Sequence, residues 1–171
     1  MTRSNEPTST SQFPNSITLR PANADDEVFL FQLYASTRDE FRLLDWDEQQ
    51  KQALIKMQYD ARRVQYDECY PQAEASIVLV DELPAGRLLV NESDRDITLV
   101  DIALMPEHRN LGIGAGLIQQ LIDSAISARK PIRLQVLKSN PALHLYERLG
   151  FLQTGDQSMY FEMTFEPEDS D

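Results

Sequence analysis

The sequence predicts a single α/β (α+β) domain, a mixed β-sheet flanked by helices. Three observations point there. The length of 171 residues suits one core, and 42% apolar with 26% charged residues is an ordinary globular balance. The hydrophobic period changes along the chain, from helical before residue 70 to strand-like after residue 76, and then alternates. No linker divides the chain and no repeat of 20–50 residues is visible, so one mixed layer structure is expected.

Met1 to Asn15 is rich in Ser, Thr, Asn and Pro without an apolar run, and reads as a disordered tail, not a secretory signal. Residues 166–171 read as an acidic tail, which leaves 16–165 as the domain. Ile17 and Leu19 alternate with Thr18 and Arg20 in a short strand stopped by Pro21. Asn23 is placed to cap a helix, with Asp26 where a capping-box acid sits. Phe29, Leu30, Leu33, Tyr34 and Phe41 keep helical spacing. A second helix follows Asp45-Trp46-Asp47, with Leu54, Met57, Ala61 and Val64 expected on its core face.

Strands come next. Ile77 to Val80 is an apolar run ended by a turn over Asp81 to Gly86, Arg87 to Val90 follows, and Ile97 to Leu104 completes a meander after a polar turn. Pro106 closes it. Leu117, Ile118, Leu121, Ile122 and Ala125 share one face of a helix that begins near Gly112. Ile132, Leu134 and Val136 alternate as another strand, and Ile97 through Val136 should form a parallel crossover. Pro141 opens a short helix that Gly150 ends from the C′ position. Met159, Phe161, Met163 and Phe165 alternate in a terminal strand. The expected order is βαα-βββ-α-β-α-β(β).

The informative stretch runs from Leu104 to Leu117, where a strand ends, a turn follows, and glycines open an amphipathic helix. Such a junction gathers unpaired N–H groups and the positive end of a helix dipole, which suits a phosphate. Gly112 and Gly114 would let the backbone approach the ligand, and Arg109 would add a charge-assisted contact. Tight helix–sheet packing explains the same glycines without a ligand. The spacing is neither G-x-x-x-x-G-K-[ST] nor G-x-G-x-x-G with a downstream acid. A second signal spans Asn140 to Phe151, where Tyr146 follows Ala142 by one turn at the edge of the core face. That tyrosine is either structural or a proton donor at the end of a cleft.

Together the two segments resemble the GNAT superfamily of acyl-CoA-dependent N-acetyltransferases. Arg109-Asn110-Leu111-Gly112-Ile113-Gly114 matches the family's [RQ]-x-x-G-x-[GA] segment, and Asn140, Tyr146, Gly150 and Phe151 match its downstream pattern. Asn110 stands where the family often has Gly. The resemblance implies an acetyl-CoA site between the strand ending at Leu104 and the strand Ile132 to Val136. Backbone of Ile102, Ala103 and Leu104 would pair with pantetheine like an added strand. Backbone N–H groups of Arg109, Asn110, Leu111, Gly112, Ile113, Gly114 and Ala115 would hold the pyrophosphate, and Asn140 would contact the pantetheine side. The implied chemistry is attack of an amine on the thioester in a ternary complex. The Leu104 N–H would polarise the carbonyl and Tyr146 would protonate the thiolate as general acid. No metal is expected: Cys69 is alone and the two histidines, His108 and His144, lie far apart.

Asp101 is the candidate base. It sits mid-strand with the apparent parity of Ile97, Leu99 and Ala103, so a carboxylate there needs a partner or a perturbed pKa. A base acting through water and a hydrogen bond that organises the sheet are both open. His108, His144, Glu107 and Glu147 read as surface residues, and Cys69 has no activating base beside it.

A net charge of −12 excludes a general nucleic-acid binder, and no apolar run spans a bilayer. The expected setting is soluble and cytoplasmic, with neither nucleic acid nor membrane as partner. Residues 106–150 nevertheless carry six bases (Arg109, Arg129, Lys130, Arg133, Lys138, Arg148) against three acids (Glu107, Asp123, Glu147), a basic segment suited to an anionic cofactor. Asp39, Glu40, Asp45, Trp46, Asp47 and Glu48 form an acidic rim, read either as a solvated face or as a site for a cationic amine. The expected acceptor is a small-molecule amine or a peptide amine, and the fold admits a homodimer. The competing classes are a catalytically inactive acyl-CoA-binding regulatory domain on the same fold and a phosphate-binding module unrelated to CoA.

Overall fold

The computed structural model describes residues 16–167, so the N-terminal tail and the last four residues lie outside the described part. Seven strands form one sheet: β1 (Ile17–Pro21), β2 (Glu74–Val80), β3 (Leu83–Glu92), β4 (Ile97–Leu104), β5 (Ile132–Leu137), β6 (Leu152–Gln157) and β7 (Tyr160–Phe165). Their order in the sheet is β1-β2-β3-β4-β5-β7-β6. Four helices flank them: α1 (Glu27–Ala35), α2 (Glu48–Cys69), α3 (Ile113–Ala128) and α4 (Leu143–Arg148). The element order is the expected βαα-βββ-α-β-α-β(β); the bracketed strand is present as β6, a mostly exposed segment that the hydrophobic periods do not cover. Among the described residues, no helix is long and apolar enough to cross a membrane.

The local signals act as expected at several ends. Asn23 and Asp26 form the expected capping box, which leads through a 3-10 turn into α1; Asp47 with Gln50 forms a second box, not anticipated from the sequence, at the start of α2. Asp26 is also clamped by Arg20 at 2.6 and 2.8 Å. That ion pair, with the backbone N–H of Asn23, holds its carboxyl down at about 2. Phe41 belongs to a separate 3-10 turn, because α1 stops at Ala35. The turn expected over Asp81 to Gly86 contracts to Asp81 and Glu82, both at positive φ, so β3 begins at Leu83.

One layer of core lies between the sheet and α3 with α4. There Ile97, Leu99, Ile132, Leu134 and Val136 meet Ile113, Leu117, Ile118, Ile122 and Ala125, all buried. The other face is covered by α1 and α2 through Leu33, Tyr34 and Tyr59. The expected core face of α2 is not the observed one. Met57 and Val64 are 62% and 54% exposed, while Tyr59 is buried and Arg62 and Tyr66 are half-buried over the sheet. Aromatic rings and an arginine stem supply the apolar surface on this side, so counting only aliphatic positions picks the wrong face.

Two irregularities shape the site. β4 pairs in parallel with β5 only from Ile97↔Ile132 to Leu99↔Leu134. Beyond that the strands diverge, although β4 stays paired with β3 as far as Leu104 and β5 with β7 as far as Leu137. A fork opens between them. In addition, the β3–β4 register passes from Leu89↔Asp101 to Val90↔Leu99, which leaves Val100 as the extra residue of a bulge. The bulge reverses the alternation of β4. Ile97 and Leu99 face the α3 core before it, and Ile102 and Leu104 do so after it. Asp101 therefore does not share a face with Ile97 and Leu99. It shares one with Ala103, on the side of α1 and α2.

Candidate active site

The edge of β4 beyond Leu99 faces the fork without a strand partner. Met105 donates its N–H to Ala85 of β3, so by alternation Ile102 and Leu104 turn their backbone groups toward the fork, while Ala103 points to β3. The Leu104 carbonyl on that edge is already taken by Nε of Arg109 at 2.8 Å. The Leu104 N–H and both Ile102 groups are left to an incoming extended ligand.

Next come the turn and the start of α3. Asn110 and Gly112 both have positive φ, 59° and 80°, a backbone that Asn tolerates better than most side chains and that Gly adopts freely. This is why Asn110 serves where glycine is common. No side chain caps α3 and its first turn carries no acid. The first N–H groups of α3, up to Ala115, therefore have no partner within the helix, whose first internal bond runs from the Gly116 N–H to the Gly112 carbonyl at 3.0 Å, and the helix dipole lies behind them. A Cβ built on Gly112 would meet nothing within 4 Å, and one on Gly114 would only approach Leu104 Cδ1 at 4.0 Å. The glycines border open space, so helix–sheet packing does not require them. A pyrophosphate fits this cradle. Arg109 departs from its expected part: Nε and Nη2 bond to the Leu104 carbonyl and to Ser36 (O at 3.1 Å, Oγ at 3.0 Å). Its side chain ties the turn to β4 and to Ser36 at the end of α1.

Tyr146 is set by the end of α4. Gly150, at φ 91°, donates to the Glu147 carbonyl and Phe151 donates to the Tyr146 carbonyl, the two bonds of a Schellman motif. The apolar contact that accompanies the motif is Phe151 against the Tyr146 ring, at 5.7 Å between centroids. Tyr146 is buried, and no described residue hydrogen-bonds its hydroxyl. The oxygen is nonetheless not sealed, since among the described residues the only sealed, unpartnered side-chain polar atom is Nε of Arg38. Burial, reinforced by the charge of Asp101, pushes the phenol up to about 12. Asn140 spends its side-chain oxygen on the Ala142 N–H, which starts α4.

Asp101 is partnered. Oδ2 accepts from Arg87 at 2.5 and 3.2 Å, and Oδ1 from Arg62 of α2 at 3.4 Å. Arg62 also donates to the Tyr66 hydroxyl at 2.6 Å. Asp101 and Ala103 line a small cleft of about 30 Å³ beneath α1 and α2. A much larger groove of about 800 Å³ runs between α2 and the β4–β5–β7 face of the sheet, bordered by Arg62, Tyr66, Tyr70, Arg133 and Glu162. None of Asp39, Glu40, Asp45, Trp46, Asp47 or Glu48 lines it. Asp47 caps α2, while Glu40 and Glu48 pair with Arg38 and Lys51. His144 is exposed beside Glu147, and Cys69 is exposed at the end of α2. Sequence reasoning missed Arg62, Arg87 and Tyr66. The signal for the arginines was Asp101 itself, whose partner should be a cation on a neighbouring strand or covering helix.

No curated protein matches the sequence. Among solved structures, PaiA N-acetyltransferase from Thermoplasma acidophilum, in complex with coenzyme A, is 16% identical with a TM-score of 0.67, covering 88% of this chain and 99% of that one. A GNAT family acetyltransferase from Elizabethkingia anophelis with acetyl-CoA bound is 18% identical (TM-score 0.59; 89% and 99% covered). Spermidine N-acetyltransferase from Vibrio cholerae, in complex with CoA and spermine, is 21% identical (TM-score 0.60; 88% and 95% covered). At these identities the likeness is one of fold. The family model for GNAT acetyltransferases, in contrast, matches residues 30–151, which include the fork, the glycine turn and Tyr146. The chain belongs to the GNAT acetyltransferase family.

Proposed function

We propose that the protein is an acetyl-CoA-dependent N-acetyltransferase that moves the acetyl group to a primary amine of a small molecule, by direct attack in a ternary complex. The observation that carries this reading is the fork between β4 and β5, which leaves the edge at Ile102 and Leu104 without a strand partner and is followed in the chain by the uncapped, glycine-rich start of α3; the charge of Asp101 on β4 is felt by the Tyr146 phenol. The coenzyme A and acetyl-CoA complexes of the fold neighbours support the co-substrate, and a spermidine N-acetyltransferase among them supports a small amine.

In this scheme Ile102 and Leu104 align the pantetheine arm by strand-like hydrogen bonds, and the N–H groups of Leu111 to Ala115 hold the pyrophosphate. Arg109 occupies the Leu104 carbonyl, which fixes the strand end and leaves the Leu104 N–H to stabilise charge building on the thioester oxygen. Tyr146 donates its proton to the departing thiolate. An ordinary phenol at about 10 is protonated at neutral pH, and burial favours its neutral form further, so Tyr146 has a proton to share with the sulfur as charge builds on it. Asp101 acts here as the anchor of Arg62 and Arg87 instead of a proton acceptor, since both its oxygens already accept guanidinium N–H bonds. The amine loses its proton to solvent in the open groove.

The test is thiol release from acetyl-CoA with a panel of amines, followed by product mass. Turnover with an acetylated product is expected. Acetyl-CoA binding that protects against heating, without thiol release from any amine, would instead mark an inactive acyl-CoA-binding domain.

A further inference from the structure

The groove beside the fork has a charge pattern that narrows the acceptor, given the acetyltransferase reading above. Three charged residues line it: Arg62, Arg133 and Glu162. Arg133 is matched by Asp96 at 3.2 Å, and Glu162 accepts from Gln157. Arg62 is different. It shares the single carboxylate of Asp101 with Arg87, so two guanidiniums face one anion and a positive charge remains. Its Nε is fixed on Tyr66, Nη2 reaches Asp101, and the rings of Tyr66 and Tyr34 lie 5.2 and 6.0 Å from the guanidinium. Among the described residues Nη1 has no partner. The side chain is 37% exposed, toward the groove. This is a guanidinium held in place, with a donor edge open to the groove.

Position adds to charge. Asp101 precedes Ile102 and lies three residues before Leu104, a span of roughly 10 Å along a strand. The cation anchored on Asp101 is thus within the length of one small molecule from the Leu104 N–H that would hold the thioester carbonyl. A polyamine here would bring its second positive charge against the surplus of Arg62 and Arg87, with one glutamate, already hydrogen-bonded, to offset it.

We propose that the acceptor is an amine that also carries a carboxylate a few bonds away, an amino-acid-like zwitterion whose carboxylate is held by Arg62 while its amine faces the fork. Tyr66, Tyr70 and Tyr160 border the remaining groove and take the rest of the acceptor. The reaction itself is the one already described: the amine nitrogen forms the amide bond, the carbon–sulfur bond breaks, and the thiolate takes the proton of Tyr146.

The test uses matched acceptors, each amino acid beside the amine that lacks its carboxylate (phenylalanine and phenethylamine, ornithine and putrescine), with spermidine added. The carboxylated member of at least one pair should exceed its partner in kcat/KM by tenfold or more. Arg62→Ala should bring that ratio to about one, and Arg62→Lys, which keeps the charge and loses the fork, should retain part of it. Better turnover of the decarboxylated amines or of spermidine overturns the proposal. So does an Arg62→Ala enzyme that loses activity equally on both members of a pair, since Arg62 would then act only in structure. Thiol release from neither series, with acetyl-CoA bound, fails at the earlier step and overturns the acetyltransferase reading itself. If Arg62→Ala does not fold, the wild-type ratio and Arg62→Lys decide.

Discussion

Replacing Tyr146 by Phe separates the chemical role of its hydroxyl from the structural role of its ring. The ring is part of the α4 end motif, against Phe151, and Phe preserves that contact. No described residue hydrogen-bonds the hydroxyl, so its removal strands no polar group among them and should change stability by no more than about 0.5 kcal/mol, or about 2 °C in Tm. Its catalytic contribution is set by the leaving group. Because a thiolate leaves more readily than most anions, the loss should lie near the low end for general acids, about a hundredfold in kcat or about 2.7 kcal/mol. Acetyl-CoA affinity should stay within about threefold, since the pyrophosphate contacts are remote from α4. The phenol is pushed from 10.0 up to about 12, so kcat should show no descending limb from Tyr146 below about pH 11. The same shift has a stability sign: the neutral form is favoured in the fold, so its contribution is complete below pH 10 and is lost as pH rises toward 12. Thiol release at saturating acetyl-CoA, an acetyl-CoA titration and a thermal melt make the complete assay. An undiminished kcat with intact cofactor binding refutes the general-acid role.

Other substitutions test the remaining parts. Gly114→Val fills open space near Leu104 and should leave the melting temperature within a few degrees while weakening acetyl-CoA binding at least about tenfold, measured by calorimetry. Asp101→Asn should cost about 1–3 kcal/mol by leaving Arg62 and Arg87 facing an amide, yet keep the shape of the kcat/KM pH profile; loss of an acidic limb would restore a base role. Asp26 is held at about 2 by Arg20, so its contribution is complete above pH 4 and vanishes as pH falls through 2. Arg20→Ala should therefore move the acid-unfolding midpoint upward, and an unchanged midpoint would show that the clamp does not support the fold.

The local signals in the chain were read well where a side chain or backbone rule acts within one turn. The capping box at Asn23, the glycine end of α4 and the glycine-opened start of α3 are of that kind, whereas the box of Asp47 with Gln50 went unread. What escaped the sequence depends on distant partners. The bulge at Val100 adds one residue to β4, and that shift alone turns Asp101 from the α3 core to the opposite face, where Arg87 and Arg62 wait. Hydrophobic periodicity likewise misplaced the inner face of α2, because its contact with the sheet is made by Tyr59, Arg62 and Tyr66 and not by Met57 and Val64. The acidic cluster from Asp39 to Glu48 suggested a cationic acceptor by composition, but its side chains lie off the groove and several are spent on caps and ion pairs. Arg109 shows the same limit: its charge was legible, but its acceptors, one of them on Ser36 of a different element, were not.

The proposed function requires the cofactor to lie in the fork between β4 and β5, with its acyl end under Leu104 and beside Tyr146. A crystal structure with coenzyme A tests this most directly. The predicted result is pantetheine hydrogen-bonded to backbone of Ile102 and Leu104, the pyrophosphate within bonding distance of the N–H groups of Leu111 to Ala115, and sulfur next to the Tyr146 hydroxyl. Coenzyme A bound away from the fork, or in it with sulfur out of reach of Tyr146, would contradict it.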